Sequence, residues 1–171
     1  MKINLITSSI KKYMDGFKNL VPLIILGLFF NAAFAQNNAM EEIEIIQDVF
    51  GSEKRMIIQE NVDLTGVDTD KFWKLYDEYE VARKELGKEK MDLLNKYTTQ
   101  KGAVSVLQAD ALMKKAIPLR AAEDNLILKY TKKINKATNS VVAVQFYQIE
   151  HYISDGIRFT ILDNINFIQD K

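Results

Sequence analysis

Three observations predict an all-α fold of four main helices for this chain of 171 residues. Phe72, Tyr79, Leu86 and Leu93 recur every seven residues, with Leu75 and Ala82 three positions after the first two, which makes a heptad-like apolar seam. Apolar residues at spacings of three and four continue on either side of it, separated by short polar turns that carry helix-capping residues. One segment alone, around Ile157, Phe159 and Ile161, alternates like a strand, and it has no second strand to pair with.

The chain opens like an export signal. Lys2, Lys11, Lys12 and Lys18 form a basic region, Leu20 to Phe30 is an apolar run, and Ala33 and Ala35 stand at the small-residue positions of a cleavage site. The expectation is a signal peptide over residues 1–35, cleaved after Ala35, and then one helical domain over residues 36–171. The apolar run is short against the roughly 20 residues a membrane span needs. An uncleaved N-terminal anchor in the inner membrane is the alternative. The absence of cysteine excludes a lipid-anchored lipoprotein and a disulfide framework. The leader takes four of 23 basic residues and one of 23 acidic ones, leaving 19 against 22 and a net charge of −3. With no basic excess to neutralise phosphates, nucleic acid is not an expected partner.

The first helix of the mature chain is expected over about residues 39–61. Ile43, Ile46, Val49, Phe50, Met56 and Ile57 give its rhythm, and Gly51-Ser52 marks a break or a kink. Asp63 to Asp68 is a turn punctuated by Gly66, with Thr65 and Asp68 as caps that Thr69 or Asp70 could share. The second helix covers about 69–99 and tolerates Gly87, which costs about 1 kcal/mol relative to Ala. The third covers about 105–137, with Leu112, Ala116, Leu119, Leu126, Tyr130 and Ile134 on one face and Glu123 interrupting it. Pro118 removes a backbone donor, so a kink near Lys114–Pro118, or a division into two helices, is expected. Thr138-Asn139-Ser140 supplies a turn and cap, and the fourth helix follows over about 141–169 with Val144, Tyr147 or Ile149, Tyr152 and Ile153 inward.

No motif for bond-making chemistry stands out. His151 is the single histidine and has Glu150 beside it, whereas a divalent site takes three or four ligands and adjacent helical residues point apart. There is no Gly-x-Ser-x-Gly element and no phosphate-cradling glycine loop. The reading is therefore of a non-enzyme with no cofactor and no metal, His151 and Glu150 being weak metal candidates. Aromatic residues are more informative. Phe72, Trp73, Tyr76, Tyr79 and Tyr97 crowd the second helix, and Phe146, Tyr147 and Tyr152 the fourth. Most fit core packing, yet Phe72 and Trp73 are adjacent and cannot both enter one stripe. Some aromatic surface is left to meet another chain.

Two stretches carry a family resemblance. Leu64-Thr65, followed by Lys71-Phe72-Trp73-Lys74-Leu75-Tyr76-Asp77-Glu78-Tyr79, resembles the Leu-Thr turn and Phe-Trp-x-x-Tyr-x-x-Tyr helix of the Spy and CpxP type of periplasmic helical proteins, the LTxxQ family, and of their relatives in Bacteroidetes. Val144-Gln145-Phe146-Tyr147-Gln148-Ile149-Glu150 is similar to the Phe-Tyr-Gln-Ile-Glu segment of those relatives' last long helix. Asp68 stands where the glutamine of the family motif falls, and Ala137-Thr138-Asn139-Ser140 replaces the usual second Leu-Thr or Leu-Pro.

The resemblance implies antiparallel long-helix hairpins that form a shallow homodimeric cradle in the periplasm. It implies ATP-independent, chaperone-like binding of unfolded or partly folded envelope proteins, or an accessory role in envelope stress. Regulation of a membrane stress sensor or anti-sigma system is the alternative, and heavy-metal sensing or buffering the lesser one. Client contact is expected at Phe72, Trp73, Tyr76, Tyr79, Phe146 and Tyr147. Leu64, Thr65, Gln148 and Glu150 complete the motif residues, and the membrane enters only through the leader.

Overall fold

The computed structural model describes residues 51–98 and 104–164. The fold is all-α, with no strand among the described residues. Helix α1 occupies residues 51–61, α2 Thr69–Thr98, α3 Val106–Ala137 and α4 Ser140–Asn164. The expected leader, the first half of the first helix with Ile43, Ile46, Val49 and Phe50, and the chain beyond residue 164 lie outside the described residues. Gly51 and Ser52 are themselves helical, and so are residues 157–164, where the alternating rhythm is overridden by helical continuity. No described helix is long and apolar enough to cross a membrane.

The connections are built as the turn chemistry requires. α1 closes with Val62 N–H donating to the Ile58 carbonyl at 2.9 Å and the Asn61 side chain donating to the Ile57 carbonyl at 2.8 Å. Gly66 has φ +76°, a conformation that favours a residue without Cβ. Asp68 is the cap of α2. Its Oδ1 accepts from Lys71 N–H at 3.0 Å and its Oδ2 meets Lys71 Nζ at 2.9 Å. Those bonds hold the Asp68 carboxyl below its ordinary range, the side-chain bond to Lys71 being the largest cause. Ser105 opens α3 with a reciprocal capping box to Gln108. Two residues join α3 to α4. The Thr138 backbone N–H and hydroxyl both donate to the Ile134 carbonyl, and Asn139 Oδ1 accepts from Val142 N–H.

Two compact units divide the described chain, residues 51–63 with 152–164, and residues 64–151. In the first, Ile57, Ile58, Val62 and Ile153 are buried, as is Lys54. In the second, α2 and α3 run in opposite senses, Glu78 pairing with Lys133 (3.2 Å) and Lys90 with Glu123. Its core comprises Phe72, Tyr76 and Tyr79 of α2, Ile127, Tyr130 and Ile134 of α3, and Val142, Ala143, Phe146 and Ile149 of α4.

The inward stripes keep Phe72, Tyr79, Leu86, Leu93, Tyr130, Ile134, Ile149 and Ile153 of the expected ones and differ by one position at others. On α2 the stripe steps four then three, through Phe72, Tyr76, Tyr79, Arg83, Leu86, Lys90 and Leu93. Leu75 and Ala82 are half-buried, as are Arg83, Leu86, Lys90 and Leu93, and only Phe72, Tyr76 and Tyr79 of the stripe are fully buried. A seam counted from apolar residues alone passes over Arg83 and Lys90, whose charges are answered by Glu80 and Glu123. On α3 Ile127 is buried and Leu126 half-buried, and Glu123 is a paired member of the face. On α4 Val142, Phe146, Ile149 and Ile153 form the buried row, so Ile149 is inward and Val144, Tyr147 and Tyr152 are exposed. α3 passes through Pro118 as one helix, not two.

Candidate functional site

Tyr79 is the hub of the larger unit. Its ring meets Tyr130 of α3 at 5.5 Å and Phe146 of α4 at 5.3 Å between centroids, both edge to face. Along α2 the chain of rings continues through Tyr76, Phe72 and Trp73. The Tyr79 hydroxyl donates to Glu150 Oε2 at 2.6 Å, a short bond between fully buried groups. Burial, and then the charge of Glu150, push the Tyr79 phenol well above its ordinary range, so it is a permanent donor. Nearby, Arg83 is held by both carboxylate oxygens of Glu80. Burial opposes the Arg83 charge, and the fields of Glu80, Tyr79 and Glu150 outweigh that and raise its pKa. This arrangement binds three helices together and offers no reactive group to a solute.

Burial sorts the expected contact residues. Phe72, Tyr76, Tyr79 and Phe146 lie in the core, so in this fold their rings present no face to a client. Trp73 is half-buried and Tyr147 exposed, and these two keep accessible surface. Trp73 borders a shallow hollow on α2 with Asp70, Lys74, Asp77, Glu78 and Val81. Leu64 is half-buried, and Thr65 and Gln148 are exposed. The His151 ring lies 4.3 Å from that of Tyr147 between centroids, tilted by 53°, and its Nε2 is buried without a hydrogen-bond partner among the described residues. Glu150, the other weak metal candidate, is the partner of Tyr79. No group of three or more His, Cys, Asp or Glu among the described residues is placed to hold a metal.

Two surface features escape a search for aromatic motifs. The first is a row on the outer side of α3, where Val106 (87% exposed), Met113 (55%), Ile117 (65%) and Leu128 (41%) follow one another at helical spacing. Asp110, Arg120 and Asp124 are interleaved with them. The spacings of seven, four and eleven residues are readable in the sequence, but a helix with two apolar faces does not disclose which one is covered. The second is a cleft of about 470 Å³ between α2 and α3, lined by Glu89, Asp92, Leu93 and Lys96 on one helix and by Lys114, Lys115, Pro118, Leu119 and Ala122 on the other.

No family model, curated protein or solved structure matches the chain.

Proposed function

We propose that this chain is an exported helical protein of the bacterial envelope that binds other polypeptides without nucleotide, in a chaperone-like manner. The observation that carries the reading is the row of Val106, Met113, Ile117 and Leu128, large apolar side chains left in water on a helix whose other face is packed. Charges set among them speed encounter, and the separate apolar contacts are weak enough to release a partly folded client. The basic-then-apolar leader supports the envelope location.

The test is suppression of aggregation. Chain expressed from the complete sequence and purified is added at several-fold molar excess to a chemically denatured model protein, without ATP, and light scattering is followed. Slower aggregation is expected, and an Ile117→Ser/Met113→Ser variant of unchanged helicity should lose most of the effect. An unaltered scattering curve removes the proposal. Multi-angle light scattering on the same sample tests the homodimer.

A further inference from the structure

From the cleft between α2 and α3 we infer a binding site for a short extended peptide segment that carries a basic residue, an apolar centre and an acidic residue, in that spatial order; the inference rests on the polypeptide-binding function proposed above. The cleft is bipolar along its length. Glu89 and Asp92 stand at the end next to the cross-helix Lys90–Glu123 pair. Lys96, Lys114 and Lys115 stand at the other end, contributed by both helices. Seven residues of helix separate Glu89 from Lys96, about 10 Å at the α-helical rise. Four steps of extended chain cover about 13 Å and return the two end side chains to one face, so a five-residue segment spans the two poles.

Among the described residues the side chains of Glu89, Asp92, Lys96 and Lys115 enter no hydrogen bond or ion pair, whereas Lys114 pairs with Asp110 and Lys90 with Glu123. The cleft therefore holds apart charges of both signs that lack partners. A segment with charges of opposite sign at its ends would complete four of them at once. Between the poles lie Leu93, Pro118 and Leu119, with Leu93 and Leu119 half-buried and able to take an apolar side chain. Pro118 adds one feature no other helical residue supplies: it has no N–H, so the Lys114 carbonyl lacks its usual helical donor and can accept from a peptide backbone. Apolar contact supplies affinity here, and the two poles supply selection among segments.

The test uses four dye-labelled peptides with neutral flanks, whose centres read Lys-Ser-Leu-Ser-Glu, Lys-Ser-Leu-Ser-Lys, Glu-Ser-Leu-Ser-Glu and Lys-Ser-Ser-Ser-Glu. Fluorescence polarisation against the full chain at low salt should rank the first at least fivefold tighter than each of the others. In a Glu89→Lys/Asp92→Lys variant the preference should pass to Glu-Ser-Leu-Ser-Glu. Should that variant lose helicity, Glu89→Gln/Asp92→Asn serves instead and should erase the difference between Lys-Ser-Leu-Ser-Glu and Glu-Ser-Leu-Ser-Glu. Equal affinity for the four peptides, or an order the variants leave unchanged, overturns the inference. Aggregation suppression is measured on the same samples. If it persists while the peptide order fails, the cleft assignment falls and the broader function stands; if it is absent, the broader function falls as well.

Discussion

The two ends of the α2–α3 pair are built on different principles. At one end, Phe72 to Tyr79 and Ile127 to Ile134 are joined by the first turns of α4, so three helices enclose a continuous set of buried rings. At the other, residues 86–96 and 106–122 contain no buried residue, a proline lies inside the helix, and a cleft separates the partners. The residue chemistry explains the contrast. A third helix can reach Tyr79 only where α4 follows α3 after the two-residue turn at Thr138 and Asn139. Beyond the first turns of α4, α2 and α3 face each other with no fully buried side chain among the described residues. Buried side chains are thus concentrated at the three-helix end, and the cleft lies at the less tightly packed two-helix end.

The largest effect that would break this comparison is a core truncation. Phe146→Ala removes the α4 ring from the Tyr79 cluster and should destabilise the chain by about 3–5 kcal/mol. Ile117→Ala at the two-helix end, exposed on α3, should change stability by less than about 0.5 kcal/mol. Urea unfolding followed by circular dichroism measures both, and similar costs at the two sites would refute the division.

Tyr79→Phe should come next. It keeps the ring packing and removes the hydroxyl donated to Glu150, leaving a buried carboxylate with one bond fewer, at about 1–3 kcal/mol. It also carries a pH signature. The folded phenol titrates well above the unfolded one, so wild-type stability is intact below pH 10, where tyrosine is protonated in both states. Above that pH only the unfolded state loses the proton readily, and stability falls. The Tyr79→Phe protein should decline less steeply between pH 9.5 and 11 than wild type, and equal slopes would show that another group governs alkaline unfolding.

How far these features are legible in the sequence follows the same division. Helix number, caps and turns are local matters, and Asp68, Gly66 and the Thr138-Asn139-Ser140 turn are readable from residue type alone. So is the aromatic character of the core. The one-residue errors in the stripes arise because a seam is counted by hydrophobicity, while the folded stripe accepts Arg83, Lys90 and Glu123, whose partners come from the neighbouring turn or from the other helix. Glu150 stands out in the sequence beside His151 and within the second motif, but its role is hidden for the same reason: its hydrogen bond joins positions 71 residues apart. The cleft is illegible because its charges resemble any solvated helix face until two helices are placed side by side.

Pro118→Ala sharpens the comparison with an opposite sign. Restoring the N–H gives the Lys114 carbonyl a helical donor and relieves a penalty that reaches about 3 kcal/mol for an interior proline. Helix α3 already accommodates the residue, so a gain of about 1–2 kcal/mol is expected. Hydrogen exchange should show the added protection confined to residues near 114–122, while amides around Ile134 and Phe146 keep their rates. Protection spreading to the three-helix end would mean that the two ends unfold as one.

The smallest effect compares one kind of bond at both ends. Asn139 Oδ1 and Ser105 Oγ each accept the N–H three residues on, Val142 and Gln108 respectively. Loss of either cap costs about 1 kcal/mol of helix stability. Asn139 holds the first turn of α4, whose Val142, Ala143 and Phe146 are buried, so fraying there must open the core and the whole loss should register in global unfolding. Ser105 opens a turn in which Val106 and Leu107 are already in water, so that turn can fray without disturbing anything packed. Asn139→Ala should therefore lower the unfolding midpoint measurably. Ser105→Ala should leave it almost unchanged and speed exchange only at the first amides of α3. Two substitutions of matched local cost would then differ globally because only one of the helix ends they cap is packed into the core.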